Sequence, residues 1–203
     1  MVMSKQRRAP GELELVRRFV NTREIGRASD RLAGPAGLAA WFEEQGLAPA
    51  GLRVTRADLA RAIELRDALC VLLAAHDGGS DALRTGPPAG NGESTAPAEA
   101  CRALDETARR ARLRLRFDGE DSASLVPEAR GVAGALGRLV AIVHDSIARE
   151  TWNRLKVCRD DTCGWAFYDH TKNRSGAWCT MEKCGNRAKA RAYRERHTTP
   201  VAG

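Results

Sequence analysis

Four cysteines fall in two matched pairs near the end of the 203-residue chain. Cys158 and Cys163 are separated by four residues, Cys179 and Cys184 by four more, with fifteen between the pairs. Zinc takes soft or borderline ligands at tetrahedral corners, and two local pairs joined by a loop supply that geometry. The spacing predicts one structural Zn²⁺ per chain, held by Cys158, Cys163, Cys179 and Cys184; core thiols or a redox switch are the alternatives. A shell of four thiolates leaves no open position for water, so hydrolysis at such a metal is not expected.

The surrounding segment needs that support. Its large apolar side chains are few, and a segment of this size does not readily bury enough surface to hold itself. Trp165, Phe167, Tyr168 and Trp178 are expected to form a miniature core around the metal, whose binding contributes about 10–16 kcal/mol in finger peptides. Stacking on nucleic-acid bases is the competing role for these rings. Metal loss is expected to melt this segment and leave the rest folded.

Charge divides the chain at the same place. Residues 151–203 carry 11 Lys/Arg against 5 Asp/Glu, whereas the first 150 carry 22 against 21. A basic end on a neutral body favours an anionic partner, with DNA first. Four thiolates on one Zn²⁺ would add −2 and reduce that bias without removing it. No apolar run is read as nearing a membrane span, and the start, MVMSKQRRAPGEL, has no signal-peptide core. The expectation is a cytoplasmic chain with no membrane partner, where thiols stay reduced.

Upstream the pattern is mostly helical. Residues 1–10 read as a basic arm and 11–150 as a helical body. Leu13, Val16 and Val20 share one helical face, with Leu15 and Phe19 beside it. A short helix follows around Leu38, Trp41 and Phe42. Thr55 and Asp58 form a capping-box start for a helix carrying Leu59, Ile63, Leu69, Leu72 and Leu73 to about His76. Residues 77–97 are too polar and Gly/Pro-broken to pack and read as a mobile loop. Pro97 opens another helix through Cys101, Leu104 and Ala108. LRLRF, with Leu113, Leu115 and Phe117 alternating against arginines, predicts a half-buried strand turning at Asp118-Gly119 toward Ser124–Val126. Val132, Leu136, Leu139, Val143 and Ile147 mark the longest helix, near 128–150. Cys70, Cys101 and His144 read as structural. No nucleophile–base pair is legible, so no enzyme is expected.

After Cys184, NRAKARAYRERH forms a helix in which Arg187, Arg191 and Arg194 make one stripe, with Lys189 and Arg196 nearly opposite. The stripe could track phosphates or reach base edges; a solvated, ion-paired face is the alternative. His170 and His197 are not expected as ligands, because four cysteines complete the shell. Cysteine knuckle, strand, turn, strand, cysteine pair and helix make a treble-clef-like layout.

These residues resemble a known family. Leu155-Lys156-x-Cys158-x4-Cys163-x-Trp165-x-Phe167-Tyr168-Asp169, then Asn173-Arg174-Ser175 and Trp178-Cys179-x-Met181-x2-Cys184-Gly185-Asn186-Arg187-x-Lys189, are similar to the CGNR zinc finger. Phe19-Val20-Asn21-Thr22 and Leu65-Arg66-Asp67-Ala68-Leu69 resemble the ABATE domain that precedes that finger. The resemblance implies a bacterial stress-induced transcription regulator whose zinc ligands are the four cysteines named above. On the charge pattern, the expected nucleic-acid contacts are Arg187, Lys189, Arg191 and Arg194, with Lys172 and Arg174 from the hairpin loop. That loop departs from the family, which often carries arginines where this chain has Gly176 and Ala177, so a weaker grip on phosphate is expected there.

The expected architecture is a mainly α body with a small β-hairpin (an α+β domain), then a four-cysteine finger over 151–198 and a short tail, 199–203. Its function is read as DNA binding by the finger, with a body that senses a small-molecule ligand or forms a homodimer, built on the 55–76 and 128–150 helices. The rival reading is a protein-interaction module whose finger docks a partner or its own body.

Overall fold

Residues 8–76 and 97–197 are described by the structure, a computed structural model. Most of the predicted N-terminal arm, the 77–97 loop except Pro97, and the 199–203 tail lie outside the described residues.

Helix α1, Leu13–Val20, buries Leu13, Val16, Phe19 and Val20, as its spacing requires. It is followed by a two-residue hairpin that the sequence did not announce, β1 (Arg23–Glu24) with β2 (Ser29–Asp30), closed by a tight turn at Ile25–Arg27. Helix α2, Pro35–Glu44, seats Leu38, Trp41 and Phe42 in the core, where the Trp41 ring meets Phe19 and Phe42. Helix α3, Arg56–Ala75, starts at the expected box: the Asp58 N–H donates to Thr55 Oγ1 and the Thr55 N–H to Asp58 Oδ2. Each such cap is worth about 1 kcal/mol.

Helix α4, Pro97–Ala111, leads into the antiparallel hairpin β3 (Leu113–Phe117) and β4 (Ala123–Pro127). The hairpin forms where the alternation put it, but its apolar face is not covered. Leu113 packs against the core, but Leu115 is 54% and Phe117 75% exposed.

Helix α5, Gly131–Ala148, packs against α1, α3, α4 and β4. Gly137 allows this approach, since a Cβ there would lie 2.2 Å from Ala111 Cβ. Val132, Leu136, Leu139 and Val143 are buried as expected. Ile147, expected to extend the apolar face, is exposed in the last turn, and so is His144. The apolar run that the sequence reading passed over is α5, which is long and apolar enough to cross a membrane by length and composition alone. In this fold more than half of it is buried, as a core helix is.

The motif Leu65–Leu69 has a structural reason. Buried Arg66 forms a fork on Asp30, Nη1 to Oδ1 at 2.7 Å and Nη2 to Oδ2 at 2.9 Å, and also donates to Thr22 Oγ1. It thereby ties α3 to the small hairpin.

Strands β5 (Leu155–Val157) and β6 (Ala166–Tyr168) pair antiparallel, Leu155 opposite Tyr168 and Val157 opposite Ala166. Side chains alternate across a strand, and here both faces are used. Leu155, Val157, Ala166 and Tyr168 join the core of the body, together with Trp152. Phe167 faces the other way, among the cysteines. The finger is therefore built partly on the body's own core.

Candidate metal centre

The first cysteine pair is shaped by Asp160. Its Oδ1 accepts the Thr162 N–H and hydroxyl, and its carbonyl accepts the Cys163 N–H at 2.8 Å. This turns the chain back so that Cys163 meets Cys158, and Gly164 completes the reversal at φ +58. Cys158 N–H donates to the Trp165 carbonyl at 2.9 Å. The second pair closes through a wide turn over Met181–Gly185, which runs into α6, Asn186–His197.

The four Sγ atoms come within 4.8 Å of one another, with Cys163 to Cys179 and Cys179 to Cys184 both at 3.6 Å. Zinc–sulfur bonds of about 2.3 Å at tetrahedral angles require sulfurs about 3.8 Å apart, so the donor set fits one zinc ion. Cys158 and Cys184 are buried, and Cys163 and Cys179 are half-buried. Thiol hydrogen bonds from Cys163 and then Cys179 favour the Cys158 thiolate and pull its pKa well down. The same contact with Cys158 pushes Cys163 and Cys179 upward. Four thiolates in this space need a cation among them. A further donor, Arg187 Nη2, reaches Cys184 Sγ at 3.3 Å and would offset part of the thiolate charge.

Trp165, Phe167 and Trp178 surround the cysteines as expected. Tyr168 does not: strand alternation turns it into the body core, where its ring edges onto His170. His170 bonds the Arg8 carbonyl and His197 stacks on Tyr193, so neither joins the cysteine cluster.

A buried ion pair fixes the loop after β6. Lys156 Nζ lies 3.2 Å from Asp169 Oδ2 and donates to the Arg174 carbonyl at 2.5 Å. Asp169 also accepts from the Thr171 N–H and hydroxyl and from the Gly176 N–H. Burial pushes this carboxyl up, but the Thr171, Gly176 and Lys156 donors outweigh it and hold it at about 2. Lys172 and Arg174 are thereby presented on an exposed loop, Arg174 at φ +52.

The arginine stripe is largely occupied from within. Arg187 Nε lies 2.9 Å from the buried Asp160 Oδ2, close enough for an ion pair though not aligned for a hydrogen bond. Arg191 Nη1 bonds Asp161 Oδ2 at 2.5 Å and its Nη2 lies 3.8 Å from Asp160 Oδ1. These two arginines fasten α6 to the first knuckle. Arg194 turns its Nε onto the Ala190 carbonyl, and Lys189 is exposed on another face. Asp160 and Asp161 carry no signal in a one-dimensional reading beyond their place between two cysteines.

A shallow cleft lies between Pro10–Leu13 and the end of α5, lined by Ile142, Asp145, Ser146, Arg149 and Thr151. The cleft borders α5 but not α3, so it is distinct from the pocket or dimer surface expected on those two helices. Cys70 is half-buried beside the core and Cys101 is exposed on α4.

The model of the CGNR zinc finger matches residues 154–197. The model named ABATE, described as a putative stress-induced transcription regulator, matches residues 13–151. Among curated proteins, none matches the chain.

Proposed function

The chain belongs to the ABATE family and carries a CGNR zinc finger, and from that premise we propose that it is a cytoplasmic transcription regulator, not an enzyme, that binds DNA through the finger. One observation carries this reading most. The finger presents Lys172, Arg174, Lys189, Arg194 and Arg196 as exposed residues, while its metal ligands are buried or half-buried. Zinc is structural: it fixes the knuckle, loop and α6 relative to one another and supplies no chemistry to a substrate. The body acts as the sensing or dimerising part, with the cleft beside α5 as its candidate ligand site.

A second reading has its own support. β5 and β6 are docked into the body core, and Arg187 and Arg191 are engaged by Asp160 and Asp161. A finger that served only to complete the body would look like this. Fluorescence anisotropy on a short labelled DNA duplex of mixed sequence separates the two. A DNA-binding finger with three or four phosphate contacts gives log affinity falling with log salt at a slope of roughly −3 to −4. No salt-dependent binding by the zinc-loaded full chain would favour the docking reading.

A further inference from the structure

Helix α6 meets the finger along one narrow seam. Ala188 and Arg191 are its two half-buried residues among those described, and the rest that are described are exposed. At 3.6 residues per turn, the direction opposite that seam is occupied by Tyr193, with Lys189 and Arg196 on one flank. Tyr193 is 58% exposed, and its ring stacks on His197 with centroids 4.0 Å apart and planes 24° from parallel. His197 Nδ1 meets the Tyr193 carbonyl at 2.8 Å, which holds the two rings as one flat platform. Arg196 lays its Nε on the Ala192 carbonyl and keeps further N–H donors for another acceptor. Among the described residues no carboxylate pairs with Lys189 or Arg196.

We infer that the DNA-contacting face of α6 is this outward one, Lys189, Tyr193 and Arg196 with His197, and not the Arg187–Arg191 stripe. The inference rests on the DNA-binding reading above. Its physical basis is competition. A phosphate approaching Arg187 or Arg191 meets guanidinium groups whose charge is already largely offset by carboxylates 2.5–2.9 Å away, one of them fully buried. A phosphate approaching Lys189 or Arg196 displaces only water and counterions, which is the favourable step in binding a polyanion. A helix carrying two cations beside an exposed aromatic ring fits a groove of duplex DNA: the cations hold the backbone, and the ring meets sugar and base edges.

The test uses the zinc-loaded full chain and a short fluorescein-labelled DNA duplex of mixed sequence, titrated at two salt concentrations. The paired substitution Lys189→Ala with Arg196→Ala is expected to reduce the salt slope by about two, with zinc content and melting unchanged. Tyr193→Ala should weaken binding about tenfold, the equivalent of one good contact, and leave the slope alone. Arg191→Gln should lower the melting temperature but keep the wild-type slope. Wild-type protein that does not bind the duplex overturns the DNA-binding reading itself. Wild-type protein that binds, with the Lys189/Arg196 variant indistinguishable from it or Arg191→Gln losing slope instead, overturns only the assignment of the face.

Discussion

Asn21, the residue after α1, pairs with Ala166 of β6 as a neighbouring strand would. Its Nδ2 donates to the Ala166 carbonyl at 2.8 Å, and its Oδ1 accepts the Ala166 N–H at 2.7 Å. One side chain thus satisfies both backbone groups of a buried edge residue 145 positions away. Arg17, oriented by Glu14, adds a longer contact to the same carbonyl at 3.4 Å. The finger and the body are joined by hydrogen bonds as well as by a shared core.

Replacing Asn21 by Ala removes both bonds and leaves the buried Ala166 N–H without its acceptor. Each such orphaned group costs about 1–3 kcal/mol. The expected loss is about 2–4 kcal/mol in urea unfolding followed by tryptophan fluorescence. A variant with unchanged midpoint would mean that the strand finds its partners elsewhere.

Zinc removal should reach further than the finger. The sequence suggests a segment that melts by itself, but Leu155, Val157, Ala166 and Tyr168 lie in the body core, so their release opens that core too. Elemental analysis should give one zinc per chain, and Cys163→Ser should lose it. Chelation should then lower the melting of the helical signal at 222 nm, in one transition or in two that both shift. Full zinc retention by Cys163→Ser, or a helical transition unmoved by chelation, contradicts this.

Much of the architecture was legible because it is local. Capping at Thr55, the α5 periodicity and the cysteine spacing all act within a few turns of chain. What escaped was long-range. Nothing near Asn21 says that its partner is Ala166, and nothing near Arg66 says that Asp30 returns beside it across 36 positions. The arginine stripe lies on the expected helix, but the carboxylate partners of Arg187 and Arg191, Asp160 and Asp161, sit far upstream in the knuckle, 30 positions away for Arg191 and Asp161. Leu115 and Phe117 alternate as buried residues would. Burial depends on what packs above them, and both are exposed here.

Asp169 gives the finger an acid-sensitive joint. Its folded value of about 2 lies below the ordinary 3.8, so its contribution is fully present above pH ~4 and is lost as pH falls toward 2. The difference amounts to about 2 kcal/mol. Asp169→Asn should remove that part of the acid dependence. It should also cost about 3–5 kcal/mol at neutral pH, because Lys156 keeps a buried charge without its partner. Cysteine protonation is common to both proteins and cancels in the comparison. Parallel stability curves for wild type and variant between pH 5 and 2 would remove Asp169 from this role.

The two loop positions where the family often carries arginine are not equivalent in this chain. A Cβ at Gly176 would lie 2.7 Å from Asp169 Oδ1 and 2.8 Å from its carboxyl carbon, a group held by Thr171 and Lys156 and therefore unable to yield cheaply. Gly176→Arg should lower stability by about 1–3 kcal/mol, as overpacking does. Ala177 already carries a Cβ and is only half-buried, and its carbonyl bond from the Arg159 N–H does not involve the side chain. Ala177→Arg should therefore keep its melting temperature and add a cation beside the Lys172–Arg174 loop. If that loop lies along the backbone of bound DNA, the salt slope should steepen by about one and binding at low salt should tighten. An unchanged slope in a fully folded Ala177→Arg protein would place the loop away from the phosphates and leave α6 as the contact.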